Sequence, residues 1–396
     1  MPDSLEKQTL WTKPFIMVLI ANIFVQMGVQ TTNILVPKYA KVLGADSATV
    51  GLIAGLFSAA ALLVRPFASP AFDILRKKLL IQVTLGIMIL AFGCYAMSSS
   101  ITMVMIGRLI HGLGVGTCIP LLLAFAITKM PGSQIAKGVS FYSLGQAFGQ
   151  AIGPSLGIAL TNSIGYRGAF IVAFVFECIA AVILSLCASD PQPKEREYRI
   201  RLDRIICKET LPIAVLTMLT YFAYTCISGF LAIYGGLCGV ENIGLFFTVC
   251  AVLLFAVRPL TGRLPEKVGF TTVLLPSLGF FALCLITISY ARTLPLFLLA
   301  AVFSDLGHGA GMPIVQALGM KVTPKEKSGV GSNTLYVGAD IGQFAGAYVS
   351  GLIIDTLQAG GVAELPAHSM MYRIMVIPLI IAMIYTFVVL RLKKKY

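Results

Sequence analysis

Three acidic residues lie inside long apolar stretches of the sequence, where a charged side chain is costly. Asp340 stands in a glycine-rich run, and Asp305 and Glu177 stand near the middle of two other stretches. A carboxyl group removed from water holds a proton more readily than an exposed one, so it can load a proton on one side and release it on the other. The sequence therefore predicts a proton carrier, with Asp340 as first candidate and Asp305 as second. For Glu177 a local hydrogen bond explains the residue equally well, and Asp355 is expected to be hydrated near the end of its stretch.

Two basic residues occupy a further apolar stretch. Arg108 and His111 are three residues apart and share one helical face. At an offset of 197 residues they match Asp305 and His308. An arginine in such a stretch should face a watery cavity or a partner, and the match predicts that both faces line one cavity. His111 taken alone is explained as well by a hydrogen-bonded packing role, and the opposite charges at matched positions would pair with substrate or respond to protonation.

Four amides in the first apolar stretch form a polar stripe that could contact a substrate. Their spacing of 4, 4 and 3 residues places Asn22, Gln26, Gln30 and Asn33 on one helical face. Amides can hydrogen-bond a substrate but cannot carry a proton. Other polar residues predicted along the same cavity are Gln146, Gln150, Tyr221, Tyr224, Gln316, Asn333 and Gln343. Each of these is explained as well by a hydrogen bond between two helices.

The composition is that of a polytopic membrane protein, with 57% hydrophobic and 12% charged residues. The apolar stretches exceed the ~20 residues that a helix needs to cross ~30 Å of hydrocarbon. The net charge of +13 comes from short segments between these stretches, so it indicates topology and not nucleic-acid binding. The nine cysteines have no metal-ligand spacing, and no Ser/His/Asp set or phosphate loop is present. No enzyme, metal or cofactor is therefore expected.

Twelve membrane-spanning helices are predicted, so the fold class is an all-α membrane bundle. Most of the 30 Lys and Arg residues lie in segments on one side of the spans, which places both termini in the cytoplasm. The spans cover residues 14–37, 48–70, 79–98, 101–127, 138–162, 166–188, 210–236, 241–262, 271–291, 294–318, 329–357 and 369–391.

The chain divides into two halves that repeat each other. A polar linker, residues 190–209, separates a bundle at 1–189 from a bundle at 210–396, and it could also form a short amphipathic helix on the membrane surface. At an offset of 193 residues, VRPFASPAFD from Val64 matches VRPLTGRLPE from Val257. The same offset matches Gly145, Gly149, Gln150 and Gly153 with Gly338, Gly342, Gln343 and Gly346. The repeat predicts six-plus-six helices with a binding site near the midplane between the halves.

Glycines at every fourth position mark the fifth span. Gly145, Gly149, Gly153 and Gly157 form a stripe without side chains where a second helix can approach closely. Pro154 should bend the helix at this point, because proline removes a backbone hydrogen bond. The stripe is interpreted as a hinge or seal between moving helices, with a static packing seam as the alternative.

The sequence resembles the major facilitator superfamily, and within it the twelve-span proton-coupled exporters. The loop SPAFDILRKK from Ser69 resembles the gating-loop motif of the family: Asp73, Lys77 and Lys78 fit, whereas Ser69, Ile74 and Arg76 depart from it. The resemblance implies that Asp73, with Arg76, Lys77 and Lys78, belongs to a cytoplasmic latch. A positive-inside loop alone would explain the three basic residues.

Three further motifs carry the resemblance. RLIHGLGVG from Arg108 resembles the motif of the fourth span in this family, and GQAIGPSLG from Gly149 resembles the exporter motif of the fifth. GYRGAF from Gly165 is similar to the start of the sixth span in exporters. Many such exporters carry an acidic residue in the first span, and this sequence has none there, which puts the usual coupling site in doubt.

The resemblance implies a proton-coupled antiporter that exports small amphipathic or cationic compounds by alternating access. Its expected location is the inner membrane, its expected partners are a small-molecule substrate, protons and the lipid bilayer, and a monomer is expected. Gly149, Gly153, Pro154 and Gly157 would belong to the gate. An importer of an organic anion, with Arg108 as anion ligand, is one alternative, and a membrane sensor or scaffold that transports nothing is another.

Overall fold

The computed structural model describes residues 9–131, 134–188, 206–261, 268–324 and 327–391, and these residues are helical with no strand among them. Short polar side chains start several helices: Thr12 accepts a hydrogen bond from the Phe15 amide and Ser100 from the Met103 amide, both at 3.3 Å. The elements are α1 (Lys13–Val42), α2 (Ser47–Ile74), α3 (Lys77–Met97), α4 (Ile101–Thr128), α5 (Ile135–Leu186), α6 (Leu211–Leu237), α7 (Leu245–Thr261), α8 (Phe270–Tyr290), α9 (Leu294–Ser304), a π-helical turn (Asp305–Gly309), α10 (Ala310–Val322), α11 (Ser328–Ala359), α12 (Glu364–Ile374), α13 (Ile377–Tyr385) and a second π-helical segment (Thr386–Arg391).

α5 consists of two helical pieces that meet at Gly165. This glycine has φ 74° and ψ 174°, a backbone conformation that side-chain-bearing residues rarely adopt. Pro154 keeps helical backbone angles, so the break in α5 falls at the glycine and not at the proline. The two pieces correspond to the fifth and sixth predicted spans.

Ten helices of the described chain are long and apolar enough to cross a membrane. α5 counts once among them although it is broken, and α7 supplies a shorter apolar helix at Leu245–Leu254. Each of the twelve predicted spans overlaps described helix, the last of them across a short turn at Met375 and Val376. The all-α membrane fold is confirmed, while the count of twelve crossings stays a prediction.

The helices form a first half, up to residue 188, and a second half, from residue 206. Residues 189–205 lie outside the described residues, so the predicted domain boundaries and most of the predicted linker stay predictions. We call the membrane face at which α1 begins the near face, and the face at which α1 ends and α2 begins the far face.

The matched glycine stripes take matched places in the two halves. Gly153 of α5 lies against α1, where an added Cβ would meet the Gln30 Cβ at 2.7 Å. Gly342 of α11 lies against α6, where an added Cβ would meet the carbonyl oxygen of Met218. Each stripe therefore packs one helix pair closely inside its own half.

The hydrophobic core shows where the halves join. One buried cluster stays within the first half on the near-face side and includes Phe15 and Leu184. The other cluster contains most buried hydrophobic residues of the second half together with far-face residues of the first half, such as Leu35, Ile53 and Ile158. The halves therefore share a core toward the far face.

Candidate functional site between the two halves

α2 of the first half and α11 of the second half run side by side. Gly55 faces the backbone of Phe344, and a Cβ there would lie 2.8 Å from the carbonyl oxygen. Gly51 and Gly351 make similar approaches to Ala347 and Ser47 nearer the far face. Glycines thus let two backbones from different halves come into contact over this stretch.

An ion pair joins the same two helices on the near-face side of these glycines. Arg65 of α2 donates through Nε to Oδ2 of Asp340 on α11, at 2.6 Å. The exposed fractions of the two side chains are 12% and 7%, so the pair is largely shielded from solvent. Removing one partner of such a pair leaves an uncompensated buried charge, which typically costs about 3–5 kcal/mol. The association of the halves at this level therefore depends on the charge of Asp340.

Tyr336, one helical turn before Asp340, completes the surroundings of the pair. The Arg65 guanidinium carbon lies 4.9 Å from the centroid of the Tyr336 ring. Tyr336 is close enough to Tyr142 of α5 and Tyr221 of α6 to interact electrostatically, yet it is 43% exposed. A residue that is surrounded by helices of both halves and still exposed lines an opening between them.

The π-helical turn Asp305–Gly309 presents a histidine to this region. The His308 ring stacks on Tyr224 with centroids 4.0 Å apart, and it meets Tyr221 edge-on at 5.4 Å. Its buried Nε2 has no hydrogen-bond partner among the residues that the structure describes. π-helical turns are frequent at functional sites, because the extra residue re-aims the side chains of the turn.

Asp305 opens the same turn and is 4% exposed. Its carboxylate lies against Gly309, where an added Cβ would overlap Oδ1. Gly307 lies against the backbone of Phe281 on α8. The two glycines let the wider turn form with the carboxylate folded against it.

Arg108 contacts the amide stripe of α1, which supplies the partner that the sequence predicts for a buried arginine. Its guanidinium donates to Asn33 Oδ1 at 3.0 Å and to the Asn33 carbonyl at 3.4 Å, while Asn33 donates to Gln30 Oε1 at 3.4 Å. The Phe57 ring lies 5.3 Å from the guanidinium carbon. Only 2% of the Arg108 surface is exposed, so its hydrogen bonds join helices within the first half.

His111 matches the packing alternative. Its Nδ1 lies 3.3 Å from the Tyr95 hydroxyl, and its ring meets Phe57 and Phe92 edge-on at 5.0 and 4.7 Å. The residue is completely buried. The matched histidines thus both lie in aromatic surroundings, but His308 is the half-buried one.

The remaining predicted site residues are dispersed. Asn22 donates to the Tyr142 carbonyl at 3.3 Å, and Gln26 packs against Gly149, so both belong to the seam between α1 and α5. Among the others, Gln150 and Gln316 are exposed, whereas Gln146, Asn333 and Gln343 are half-buried.

Glu177 is buried away from the ion pair. It is 0% exposed and lies against Gly28 of α1, where an added Cβ would be 2.8 Å from Oε1. Neither carboxylate oxygen has a hydrogen-bond partner, so the local hydrogen bond that would explain this residue is absent from the described chain. Gly28 lies on the opposite side of α1 from the amide stripe, so α1 separates Glu177 from the side chains of that stripe.

The predicted gating residues of α5 lie within the first half. Gly149, Gly153 and Gly157 pack on α1, and the Thr31 hydroxyl donates to the Gly153 carbonyl at 3.0 Å. The stripe packs two helices of one half together, as the alternative of a static packing seam predicts. The gating role of these glycines and Pro154 stays a prediction. The neighbouring Ser155, which sequence reasoning missed, contacts the other half through Gly244 and Thr248 at the start of α7.

The predicted latch loop is only partly described. The Asp73 side chain lies outside the described residues. Arg76 is exposed at the start of α3, and Lys77 is its first residue. Lys78 donates to the carbonyls of Ser185 and Cys187 at 2.7 and 2.6 Å, which ties α3 to the end of α5.

Two more contacts between the halves lie at the far face. The expectation that Asp355 is simply hydrated is wrong, because both of its carboxylate oxygens accept backbone hydrogen bonds from α2. Lys41 and Glu364 form an ion pair at 2.9 Å. Sequence reasoning missed Arg65, Tyr336 and these contacts, although the repeated Val-Arg-Pro triplet could have marked Arg65.

No group of three or more potential metal ligands occurs in the described parts of the chain. The chemistry that the site offers is instead protonation of Asp340, which would remove the negative charge of the ion pair between the two helical bundles. Together, the apolar helices, the internal repeat and the buried ion pair define a membrane protein built of two helical halves that meet at a charged contact.

The chain belongs to the Major Facilitator Superfamily, whose profile matches residues 18–209 and 213–396. It is accordingly a multi-pass membrane transporter and not an enzyme. The multi-drug resistance efflux pump PmrA of Streptococcus pneumoniae is 26% identical over 339 residues, which cover 80% of this chain and 84% of PmrA. The quinolone resistance protein NorA of Staphylococcus aureus is 24% identical over 225 residues, which cover 55% of this chain and 58% of NorA, less than two thirds of that relative.

Solved structures share the fold. The nucleoside transporter NupG superposes with a TM-score of 0.78 at 11% identity, covering 94% of this chain and 99% of NupG. A bacterial homologue of the human lysosomal transporter Spinster, inward-facing and occupied, superposes with a TM-score of 0.78 at 16% identity, covering 96% of this chain and 97% of that one.

Proposed function

We propose that the protein is a proton-coupled exporter of small amphipathic or cationic compounds that works by alternating access of its two halves. The observation that carries the proposal is the shielded ion pair between Arg65 of one half and Asp340 of the other. The names of its relatives PmrA and NorA, an efflux pump and a resistance protein, support export of this substrate class.

Proton binding to Asp340 changes the contact between α2 and α11. In the ionised state, the carboxylate accepts the Arg65 hydrogen bond and balances its charge. A proton on the carboxyl group removes that charge, and Arg65 is left without an ionic partner. The expected bias, on the order of 3–5 kcal/mol, is comparable with the ~5.5 kcal/mol that moves a two-state equilibrium from 1:99 to 99:1.

The opening beside the ion pair suits aromatic or cationic substrates. Tyr336 lies at its edge, and Tyr221, Tyr224 and His308 form a connected set of rings on the second half. Ring faces attract cations and stack on flat apolar molecules. A cationic substrate competes with Arg65 for the ionised carboxylate of Asp340 and finds no negative charge when Asp340 is protonated, so proton and substrate exclude each other.

The proposed topology identifies the face from which an exporter takes its substrate. The near face carries Lys78 and Lys129, which donate to backbone carbonyls at the end of α5. With the excess of Lys and Arg on this side, the positive-inside rule makes it the cytoplasmic face of the inner membrane, with both termini there. The protein, acting as a monomer, would take substrate from the cytoplasm.

The organic-anion alternative needs Arg108 as an accessible ligand. Arg108 is 2% exposed and donates to Asn33, so the geometry gives no support to that role. We therefore propose that Arg108 positions α1, and that the charge-sensitive position is Asp340.

Inside-out membrane vesicles test this proposal with ethidium as probe. An imposed pH gradient should drive ethidium into wild-type vesicles, and the Asp340→Asn and Arg65→Gln variants should lose at least nine-tenths of this uptake at equal protein amounts. Glu241→Gln, which changes an exposed carboxylate in the loop between α6 and α7, is the matched control and should behave as wild type. Full gradient-driven uptake by Asp340→Asn would reject Asp340 as the coupling group, and uptake only in right-side-out vesicles would reject export.

A further inference from the structure

Asp355 connects the two halves at the far face. It lies near the end of α11, and its Oδ1 and Oδ2 accept hydrogen bonds from the backbone amides of Ser47 and Ala48, at 3.0 and 2.6 Å. These are the first residues of α2, whose early amides have no partner within the helix. A carboxylate of one half thus caps a helix of the other half, with a charge-assisted bond at the positive end of its dipole.

A second contact lies beside this cap. Lys41, at the end of α1, pairs with Glu364 at the start of α12 at 2.9 Å. Both side chains are about one-third exposed, so the pair is worth less than a buried one. Close backbone packing of Gly351 on Ser47 brings the two contacts together.

The cap and the Arg65–Asp340 pair act on the same two helices. Asp340 and Asp355 are about 22 Å apart along α11, at a rise of ~1.5 Å per residue. Both join α11 to α2, one near the middle of the helices and the other at the far face. Separation of the halves at the far face has to break the Asp355 contacts whatever happens at Asp340.

We propose that Asp355 with Ser47 and Ala48, and Lys41 with Glu364, form a far-face lock that holds the transporter closed on that side. The proposal rests on the alternating access of the proposed function. Asp355 is a positioning residue: it sets the balance between the two open states and touches neither substrate nor proton path.

A matched control lies at the same helix end. Asp46 accepts a hydrogen bond from the Thr49 amide at 2.8 Å, but within the first half. Hydrogen bonds from the Thr49 side chain and backbone hold the pKa of Asp46 below its usual range, so it is charged at neutral pH. Asp46→Asn therefore removes a carboxylate at the start of α2 that accepts its hydrogen bond within the first half, although its charge also acts on Lys41.

Hydrogen exchange of the full chain in lipid nanodiscs, with no substrate and no pH gradient, tests the lock. Asp355→Asn should raise exchange about tenfold at far-face segments of both halves, residues 39–53, 238–245 and 352–361, and lower it at near-face segments. Asp46→Asn should raise exchange at residues 47–51 and leave the second-half segments, residues 238–245 and 352–361, unchanged. An Asp355→Asn pattern confined to residues 47–51 would overturn the proposal, because a local cap predicts that pattern.

A charge exchange decides the case if Asp355→Asn does not fold. Lys41→Glu should open the far-face segments by a smaller factor, and Lys41→Glu with Glu364→Lys should restore wild-type exchange. Equal exchange in the wild type and the Lys41→Glu variant would overturn the lock. Since no gradient or substrate is present, failure of proton coupling in the vesicle assay leaves this result unaffected.

Discussion

The two halves use the same sequence pattern in different ways at the matched positions of α4 and the π-helical turn. In the first half, Arg108 is hydrogen-bonded to Asn33 and His111 is completely buried. In the second half, the helix widens into a π-helical turn whose His308 is only half-buried, and among the described residues Nε2 of neither histidine has a hydrogen-bond partner. The comparison indicates that the first half ties its charged residue to its own helices and buries its histidine completely, while the second half carries its histidine in a wider, less buried turn.

The largest expected effect comes from the first half. Asn33→Ala removes the acceptor that Arg108 uses and leaves its guanidinium buried without that partner. Hydrogen bonds to charged groups contribute about 1.5–3 kcal/mol, so the free energy of unfolding should fall by that amount. Denaturation of the purified protein measures it, with Gln150→Ala, at an exposed amide, as the unchanged control. Equal stability of both variants would show that the contact between Arg108 and Asn33 does not stabilise the first half.

The glycine stripes give the second test of the comparison. Gly342→Ala places a methyl group on the Met218 carbonyl of α6, which cannot move without its helix. At Gly157 the nearest atoms are 3.2 Å from an added Cβ, so a small shift accommodates it. Gly342→Ala should cost about 1–3 kcal/mol and Gly157→Ala less than about 1 kcal/mol, as thermal unfolding in detergent can measure. The reverse order would mean that the first-half stripe is the more tightly packed one.

The matched histidines give the smallest and most specific effect. We propose that Nε2 of His308, which is buried in this conformation, bonds substrate when the halves move. Phenylalanine at this position can still stack on Tyr224 but lacks that nitrogen, which removes a hydrogen bond worth about 1 kcal/mol. His308→Phe should weaken ethidium binding about fivefold with the fold intact, whereas His111→Phe should leave binding unchanged and lower stability slightly. Equilibrium binding by fluorescence measures both. Weaker binding in His111→Phe alone would reverse the roles assigned to the two histidines.

Much of the architecture is predictable from the sequence, because it depends on local pattern. Apolar length gives the helices, and the polar spacing in α1 predicts that Asn33 and Gln30 lie on one face, where Arg108 finds a partner. The offset that matches Gly149 with Gly342 correctly pairs two helix seams. These features follow from helical periodicity and from repetition within one chain.

The contacts between the halves are not predictable in the same way. Arg65 and Asp340 are 275 residues apart, and only the packing of α2 on α11 brings them together. Asp355 is close to a span end, where hydration is a sufficient explanation until the start of α2 is placed beside it. The π-helical turn has no sequence signal beyond two glycines, so the different environment of His308 became evident only in the structure.

The most direct test of proton coupling at Asp340 separates exchange from gradient-driven transport. In proteoliposomes, Asp340→Asn is predicted to exchange labelled for unlabelled ethidium across the membrane while failing to accumulate it against a gradient in response to a pH difference. This result would show intact alternating access without its proton link. Gradient-driven accumulation at the wild-type level by Asp340→Asn would contradict the account.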